Sequence, residues 1–327
     1  MDIKACELME TVQPHWRLAI AGLGYRGHYF WERWRLLNPQ RVVAFADDDV
    51  SGRQSVGATA IPVVSLAELI SHPGDGTAVL VTVPLAQRGT LIADCLSARL
   101  SVLVEPPLAT TLAEARRLFE LAQFRGVAMR VIGLRRSEPD FLAANAAIST
   151  GRLGSITAFR WYTAEYAVWA GDAAAAYRRD ETLSVAGPPI FDQLAGLTNA
   201  IPQTVFACAF PAEDGFSAEI TFDDGSTARI ELRRTARVAM RTGWMIEGDA
   251  GAYHHRRIIT TTADGELVDE AVAQSIVSPD PLTELEAMDV LSPMTTKEER
   301  RCLMTAGLIE AVPRSIASGG PVRWDGL

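Results

Sequence analysis

Along the first 134 residues, apolar and polar positions switch repeatedly between two periods. "RLAIA", "VVAFA", "TAVLV", "SVLV" and "VAMRVIGL" are short, nearly unbroken apolar runs. Such runs read as strands buried on both faces. Between them lie "YRGHYFWERWRLL", "SLAELI", "LAQRGTLIADCLSA" and "TLAEARRLFELAQFRG", whose apolar residues recur at helical spacing. Ser65 with Glu68, and Thr111 with Glu114, have the spacing of capping boxes. Gly126 stands where a helix would end. Strand and helix in alternation predict a Rossmann-type doubly wound parallel sheet.

The pattern then changes. "GSITAFRWYTAEYAV", "TVFACAF", "FSAEITF", "STARIELRR", "GWMIEGD" and "AYHHRRIITTT" read as strands. Phe216, Ala218, Ile220 and Phe222 alternate with polar residues. After Asp224-Gly225, so do Ala228, Ile230 and Leu232. This predicts a hairpin with one apolar face. "TKEERRCLMTAGLIEAVPRSIASG" reads as a helix closed by a glycine pair. The expectation is therefore a dinucleotide-binding domain over 1–134, then an α+β domain over 135–327 with a mostly antiparallel open sheet. The terminal helix is free to pack back on the first domain.

The turn after the first strand is "GLGYRG", with Gly22, Gly24 and Gly27. A G-x-G-x-x-G run between a strand and a helix is the setting in which that spacing holds a dinucleotide. The first glycine permits the turn, the second lets backbone approach a pyrophosphate, and the third lets helix and strand pack closely. Asp47 closes the second strand, 20 residues beyond Gly27. A carboxylate there accepts hydrogen bonds from a ribose 2′-hydroxyl, and with Asp48 and Asp49 it repels a 2′-phosphate. NAD is expected in preference to NADP.

Composition narrows the class. A net charge of −9 argues against a nucleic-acid partner. No apolar run reaches the roughly 20 residues that span a bilayer. "MDIKACELMETVQPHW" has acids where a signal peptide has its apolar core, so a cytoplasmic location is expected. Cys6, Cys95, Cys208 and Cys302 form no C-x-x-C pair, which argues against a disulfide framework or a metal site. Cys95 and Cys208, in apolar surroundings, read as core. Lys4 and Lys297 are the only lysines, and no Lys or His lies between His72 and His254. The choice of general acids and bases is correspondingly small.

From about residue 16 to 324 the chain resembles the Gfo/Idh/MocA family of NAD(P)-dependent oxidoreductases. The landmarks are "GLGYRG", "VLVTVP", "VLVEPPLATTLAEARRL", "GRLGSITAFRW", "AGPPIFDQLAGLTNAI", "EITFDDGSTARIEL", "IEGDAGAY" and "GLIEAVPRSIASGGPVRW", in that order. The resemblance implies cofactor contacts from Gly22, Leu23, Gly24, Tyr25, Arg26, Gly27, Asp47, Thr82, Val83, Pro84, Gln87, Glu105 and Pro106. It also implies a homo-oligomer, dimer or tetramer, paired through the open β-sheet.

The family's Glu-Lys-Pro motif is here Glu105-Pro106-Pro107, so Pro106 takes the place of the lysine that assists proton transfer. Gly196 takes the place of the acid/base histidine, and Asn199 that of a later Asp. Asp192 is kept. Helical spacing puts 192, 196 and 199 on one face. Three functions stay open. One is an oxidoreductase acting on a sugar, cyclitol or related polyol, with altered acid/base residues. Asp192 and Tyr166 are then the catalytic candidates, and Arg135, Arg136, Tyr162, Arg178, Asp192 and Asn199 the substrate-binding ones. The second is a non-catalytic NAD-binding regulator or scaffold. The third is NAD-assisted elimination or hydrolysis.

Overall fold

The computed structural model of the chain describes residues 16–49, 60–72, 76–164, 186–211, 215–233, 242–272, 280–287 and 289–324. Six strands form the first sheet: β1 (Arg17–Ala21), β2 (Val42–Ala46), β3 (Val63–Val64), β4 (Thr77–Val81), β5 (Ser101–Val104) and β6 (Met129–Val131). Their order is β3-β2-β1-β4-β5-β6, all parallel. This is the doubly wound order, with its crossover point between β1 and β4. Helices α1 (Tyr25–Leu37), α2 (Leu66–Ser71), α3 (Leu85–Ser97) and α4 (Leu112–Arg125) connect the strands.

Unbroken apolar runs were needed because both faces of this sheet are covered. Val79, Val81, Val102 and Val104 join Ile92, Leu96 and Leu118 in one core. Leu18, Ile20, Leu80 and Leu103 join Phe30 and Trp34 in another. The Ser65–Glu68 capping box forms as expected, and Gly126 ends α4 in the left-handed conformation. The second box forms only in half. Thr111 Oγ1 accepts the Glu114 N–H at 3.1 Å, but the Glu114 carboxylate turns to the Thr110 N–H and hydroxyl. It also packs against Gly89 of α3, where a Cβ would collide with it.

A mixed nine-stranded sheet follows. Its strands are β7 (Ile156–Ala164), β8 (Pro202–Ala209), β9 (Gly215–Phe222), β10 (Thr227–Arg233), β11 (Gly243–Gly248), β12 (Gly251–His254), β13 (Arg257–Thr261), β14 (Leu267–Ala271) and β15 (Val322–Arg323). The order is β14-β13-β12-β11-β7-β10-β9-β8-β15. Only β7 and β10 run parallel. The expected β9–β10 hairpin is present in register, with Thr221 opposite Thr227. "AYHHRRIITTT" is two strands rather than one. His255 and Arg256 have positive φ (49° and 63°) and turn the chain between β12 and β13.

The inner face of this sheet carries Phe159, Trp161, Ile230 and Trp244, packed on α5 (Pro139–Ser149) and α6 (Gly187–Leu197). Cys208 is exposed, not core. In β8 Val205 and Ala207 point inward, so the strand's period of two sends Phe206 and Cys208 to the open face.

Two late helices tie the parts together. In α7 (Pro281–Ala287), Glu286 pairs with the buried Arg41 beside β2. The long α8 (Thr296–Ser318) gives Cys302 and Ala306 to a core of the first sheet. It gives Met304, Leu308, Ile309 and Val312 to the core of the second. Glu310 of α8 also accepts the Leu112 N–H at the start of α4, at 3.0 Å. Among the described residues no helix is long and apolar enough to cross a membrane. None of their His, Cys, Asp and Glu side chains cluster to hold a metal ion.

Leu308 is fully buried. Leu308→Ala is expected to lower the unfolding free energy by about 2–5 kcal/mol, read from the shift in denaturant midpoint.

Candidate functional site

Every parallel strand of the first sheet delivers its carboxyl end to one edge, where ligands of doubly wound sheets bind. At the end of β1, Gly22 has φ +99°, and a Cβ there would lie 2.8 Å from the Val83 nitrogen. Gly27, in the first turn of α1, packs so closely on the Gly22 carbonyl that a Cβ would overlap it. Thr82 locks the pair from β4, its hydroxyl donating to the carbonyls of Ala21 (3.0 Å) and Gly22 (2.6 Å). Gly24 differs, because a Cβ there would meet nothing within 4 Å. Gly22 thus serves the turn and Gly27 the close packing of helix on strand, while Gly24 faces open space.

Gly24 is also the N-cap of α1 and supplies no side-chain cap. The first N–H groups of this helix are thus left for an anion. Asp47, at the end of β2, faces the same turn. Its Oδ2 accepts the Leu23 N–H at 2.6 Å and its Oδ1 accepts the Asp49 N–H at 2.8 Å. Each carboxylate oxygen keeps a further lone pair for a ribose hydroxyl.

At the end of β5, the Glu105 carboxylate receives a bidentate pair from Arg26 of α1, with Nε at 2.8 Å. Burial works against the Arg26 charge, but the Glu105 carboxylate outweighs it and holds the guanidinium above its ordinary value. Beneath it, Arg88 of α3 donates to the carbonyls of Glu105 (3.1 Å), Pro107 (2.6 Å) and Val83 (3.4 Å). Burial pushes Arg88 down, partly offset by Glu105. Arg88 fixes the "EPP" segment through its main chain, and its own spacing gave no hint of this. The Pro106–Pro107 peptide is cis.

Asp192, on α6, is 1% exposed. Arg136, in the 3₁₀ turn after β6, approaches its Oδ2 at 3.0 Å, and Arg301 of α8 approaches its Oδ1 at 3.4 Å. Gly133 lies against both Arg136 and Asp192, and a Cβ would strike both. Burial lowers the Arg301 pKa, with Arg136 acting in the same direction and Asp192 opposing. The neighbouring Cys302 thiol is pushed up to about 12 by burial, with Asp192 adding to it. Gln193 braces the helix: its amide donates to the Arg135 carbonyl (2.5 Å) and Glu138 (3.0 Å) and accepts from Trp244 (2.9 Å).

Other expected residues are placed elsewhere. Helix α6 ends at Leu197 and Thr198 is extended. Asn199 is therefore off the helix and exposed, with its carbonyl taken by Arg300. Tyr162 lies on β7 between two inward residues' partners, one step from Trp161. Strand alternation sends it to the open face, away from α6. Arg135 turns to Glu138 at 2.6 Å. Gln87 and Tyr25 are exposed, Pro84 caps α3, and Leu23 and Val83 are buried. Tyr166 and Arg178 lie outside the described residues. Arg301 was not foreseen at all, since it is far from Asp192 in sequence and sits in a charged helix start.

The glycine geometry separates binding from folding. Gly24→Ala is expected to keep the wild-type melting temperature and to weaken NADH binding about tenfold or more, measured by nicotinamide fluorescence. Gly27→Ala is expected to lower the melting temperature as well.

Residues 16–132 match the family model described as "Oxidoreductase family, NAD-binding Rossmann fold". An uncharacterized oxidoreductase of Schizosaccharomyces pombe is 35% identical over 81 residues, covering 25% of this chain and 22% of that protein. The scyllo-inositol 2-dehydrogenase (NAD(+)) of Bacillus subtilis is 25% identical over 151 residues, 45% of this chain and 44% of the relative. The matches to the first two curated relatives span only 22% and 24% of their lengths. Whole-chain likeness comes from solved structures. An oxidoreductase from Agrobacterium radiobacter in complex with NAD+, L-tartaric acid and magnesium has TM-score 0.76 at 16% identity, over 94% of this chain and 98% of that one. An NAD-binding protein from Listeria innocua has TM-score 0.74 at 20% identity, over 94% and 97%. These likenesses show the two-part fold. Residues 16–132 thus match the Gfo/Idh/MocA oxidoreductase family, with its NAD-binding Rossmann fold.

Proposed function

We propose that the protein is an NAD-dependent oxidoreductase acting on a sugar, cyclitol or related polyol or keto compound, with proton transfer assigned to Asp192. The observation that carries the reading is the edge built by Gly22, Gly24, Gly27 and Asp47. Gly24 leaves open space, the α1 N-terminus has no side-chain cap, and a carboxylate stands at the end of β2. This cradle fits the pyrophosphate and ribose of NAD. The nicotinamide ring, when bound, supplies or takes the hydride.

The chain's own residues bind, orient and move the proton. Arg26, Arg88 and Glu105 fix the crevice wall at the end of β5. Asp192 Oδ1 is buried without a hydrogen-bond partner among the described residues. That oxygen is the one assigned to take the proton of a substrate hydroxyl on oxidation and to return it on reduction. In the same reading two copies pair through the open sheet face, which exposes Phe206 and Cys208 near the Arg233–Glu231 pair.

A second reading, a non-catalytic NAD-binding regulator, draws on one observation. A Cβ at Gly196 would lie 3.1 Å from Phe141, so an imidazole at that position would need Phe141 to move.

Titrating the purified protein with NADH, and then following nicotinamide absorbance with NADH against keto sugars and with NAD+ against polyols, separates the readings. Turnover is expected, falling about 10²–10⁴-fold in Asp192→Asn while NADH affinity holds. NADH binding with no turnover of any substrate would move the assignment to the regulator. Failure to bind NADH would end both.

A further inference from the structure

Around Asp192 the charges do not balance. Arg136 and Arg301 converge there from the 3₁₀ turn and α8, and Arg130 of β6 pairs with Glu298 on the same helix as Arg301. The carboxylates facing them are Asp192 and Glu298. Glu298 is further committed: it caps α8 through Thr295 and pairs with Arg130 at 3.5 Å. Asp192 is thus shared between two guanidiniums. The Nε groups of Arg136 and Arg301 are buried and hydrogen-bonded to nothing among the described residues, and so is Asp192 Oδ1. Arg136 also donates through Nη2 to the Val131 carbonyl at 3.2 Å, so one carboxylate and one carbonyl serve two guanidiniums, and buried charge with too few acceptors is costly.

Gly196 sets the ground that Arg301 takes. Arg301 Cδ lies 3.9 Å from where a Cβ of residue 196 would begin. With glycine there, the arginine stem occupies ground that a side chain on α6 would contest. The Arg136 side chain is 24% exposed, whereas Asp192 is 2% and Arg301 11%. The cluster is therefore reached from its Arg136 side. Gly133 brings it directly onto the end of β6, next to the end of β5, where the Ile132 N–H bonds the Val104 carbonyl at 2.8 Å. Burial first, and the Arg136 charge second, disfavour the Arg301 charge, and a second anion would relieve the repulsion between the two arginines.

We propose that Arg136 and Arg301 recognise a carboxylate on the substrate, so that the polyol or keto compound handled here is an acid such as a sugar acid or a hydroxy acid. This rests on the oxidoreductase reading and narrows its substrate class. A guanidinium presents a planar fork that matches a carboxylate in two parallel hydrogen bonds. The carboxylate holds the substrate while the hydroxyl-bearing carbon faces the cofactor crevice.

The test is calorimetric titration of the full chain saturated with NADH, using matched pairs: glucuronate and glucose, galacturonate and galactose, tartrate and threitol. At least one acid is expected to bind about 10-fold to 100-fold more tightly than its uncharged partner. Arg136→Gln and Arg301→Gln are each expected to remove that preference while NADH affinity stays within about twofold. Arg136→Lys and Arg301→Lys, which keep the charge and lose the fork, are expected to fall between and guard against a folding artefact. Equal or tighter binding of the uncharged partners overturns the proposal. So does a preference that survives all four variants, and so does the absence of binding by every acid in the panel. Loss of NADH binding in the wild-type protein would instead overturn the oxidoreductase reading beneath it.

Discussion

Burial of helix α8 against two sheets at once is the contact on which the rest of this structure depends. Its Cys302 and Ala306 close a core of the parallel sheet, while Leu308, Ile309 and Val312 close the core of the mixed sheet. Packing at interior density leaves little freedom to a helix held in this way. Arg301, one residue before Cys302, is thereby set against Asp192, and Glu310 is set against the start of α4. One amphipathic helix thus positions an ion cluster and a helix cap that no local sequence could have built.

What could be read from the sequence follows the range of the interactions. The glycine turn, Asp47, the Ser65–Glu68 box and the β9–β10 hairpin are each set within about 25 residues, and each appears as expected. Periodicity also located five of the six strands of the parallel sheet, because burial on both faces leaves an unbroken apolar run, which the two-residue edge strand β3 lacks. The readings that failed needed one more fact. Asn199 required knowing that α6 stops at Leu197. Tyr162 and Cys208 required knowing which parity of each strand faces inward. The half-formed box at Thr111 required knowing that Glu114 meets Gly89 on another helix. Arg88 and Arg301 act across the fold, and only the fold reveals them.

The "EPP" segment is held in place by two arginines. Arg88 secures its carbonyls from below and Arg26 secures its carboxylate from the side. Glu105 thereby links the glycine-turn helix to the end of β5 without any lysine. Arginine, which stays charged under all ordinary conditions, dominates the chemistry of this crevice. Its contribution is to orient groups and to neutralise charge.

The double burial of α8 also bears on how the molecule comes together. The parallel sheet and its connecting helices lie early in the chain, yet part of their apolar interior is supplied from beyond residue 300. Contacts of such wide sequence separation form late, because the loop that joins them carries a large closure entropy. Until that helix docks, the hollow meant for Cys302 and Ala306 stands open to water. The dinucleotide-binding half is therefore not an independent module with an appendage. It is an assembly whose last structural part is delivered by the other end of the polypeptide.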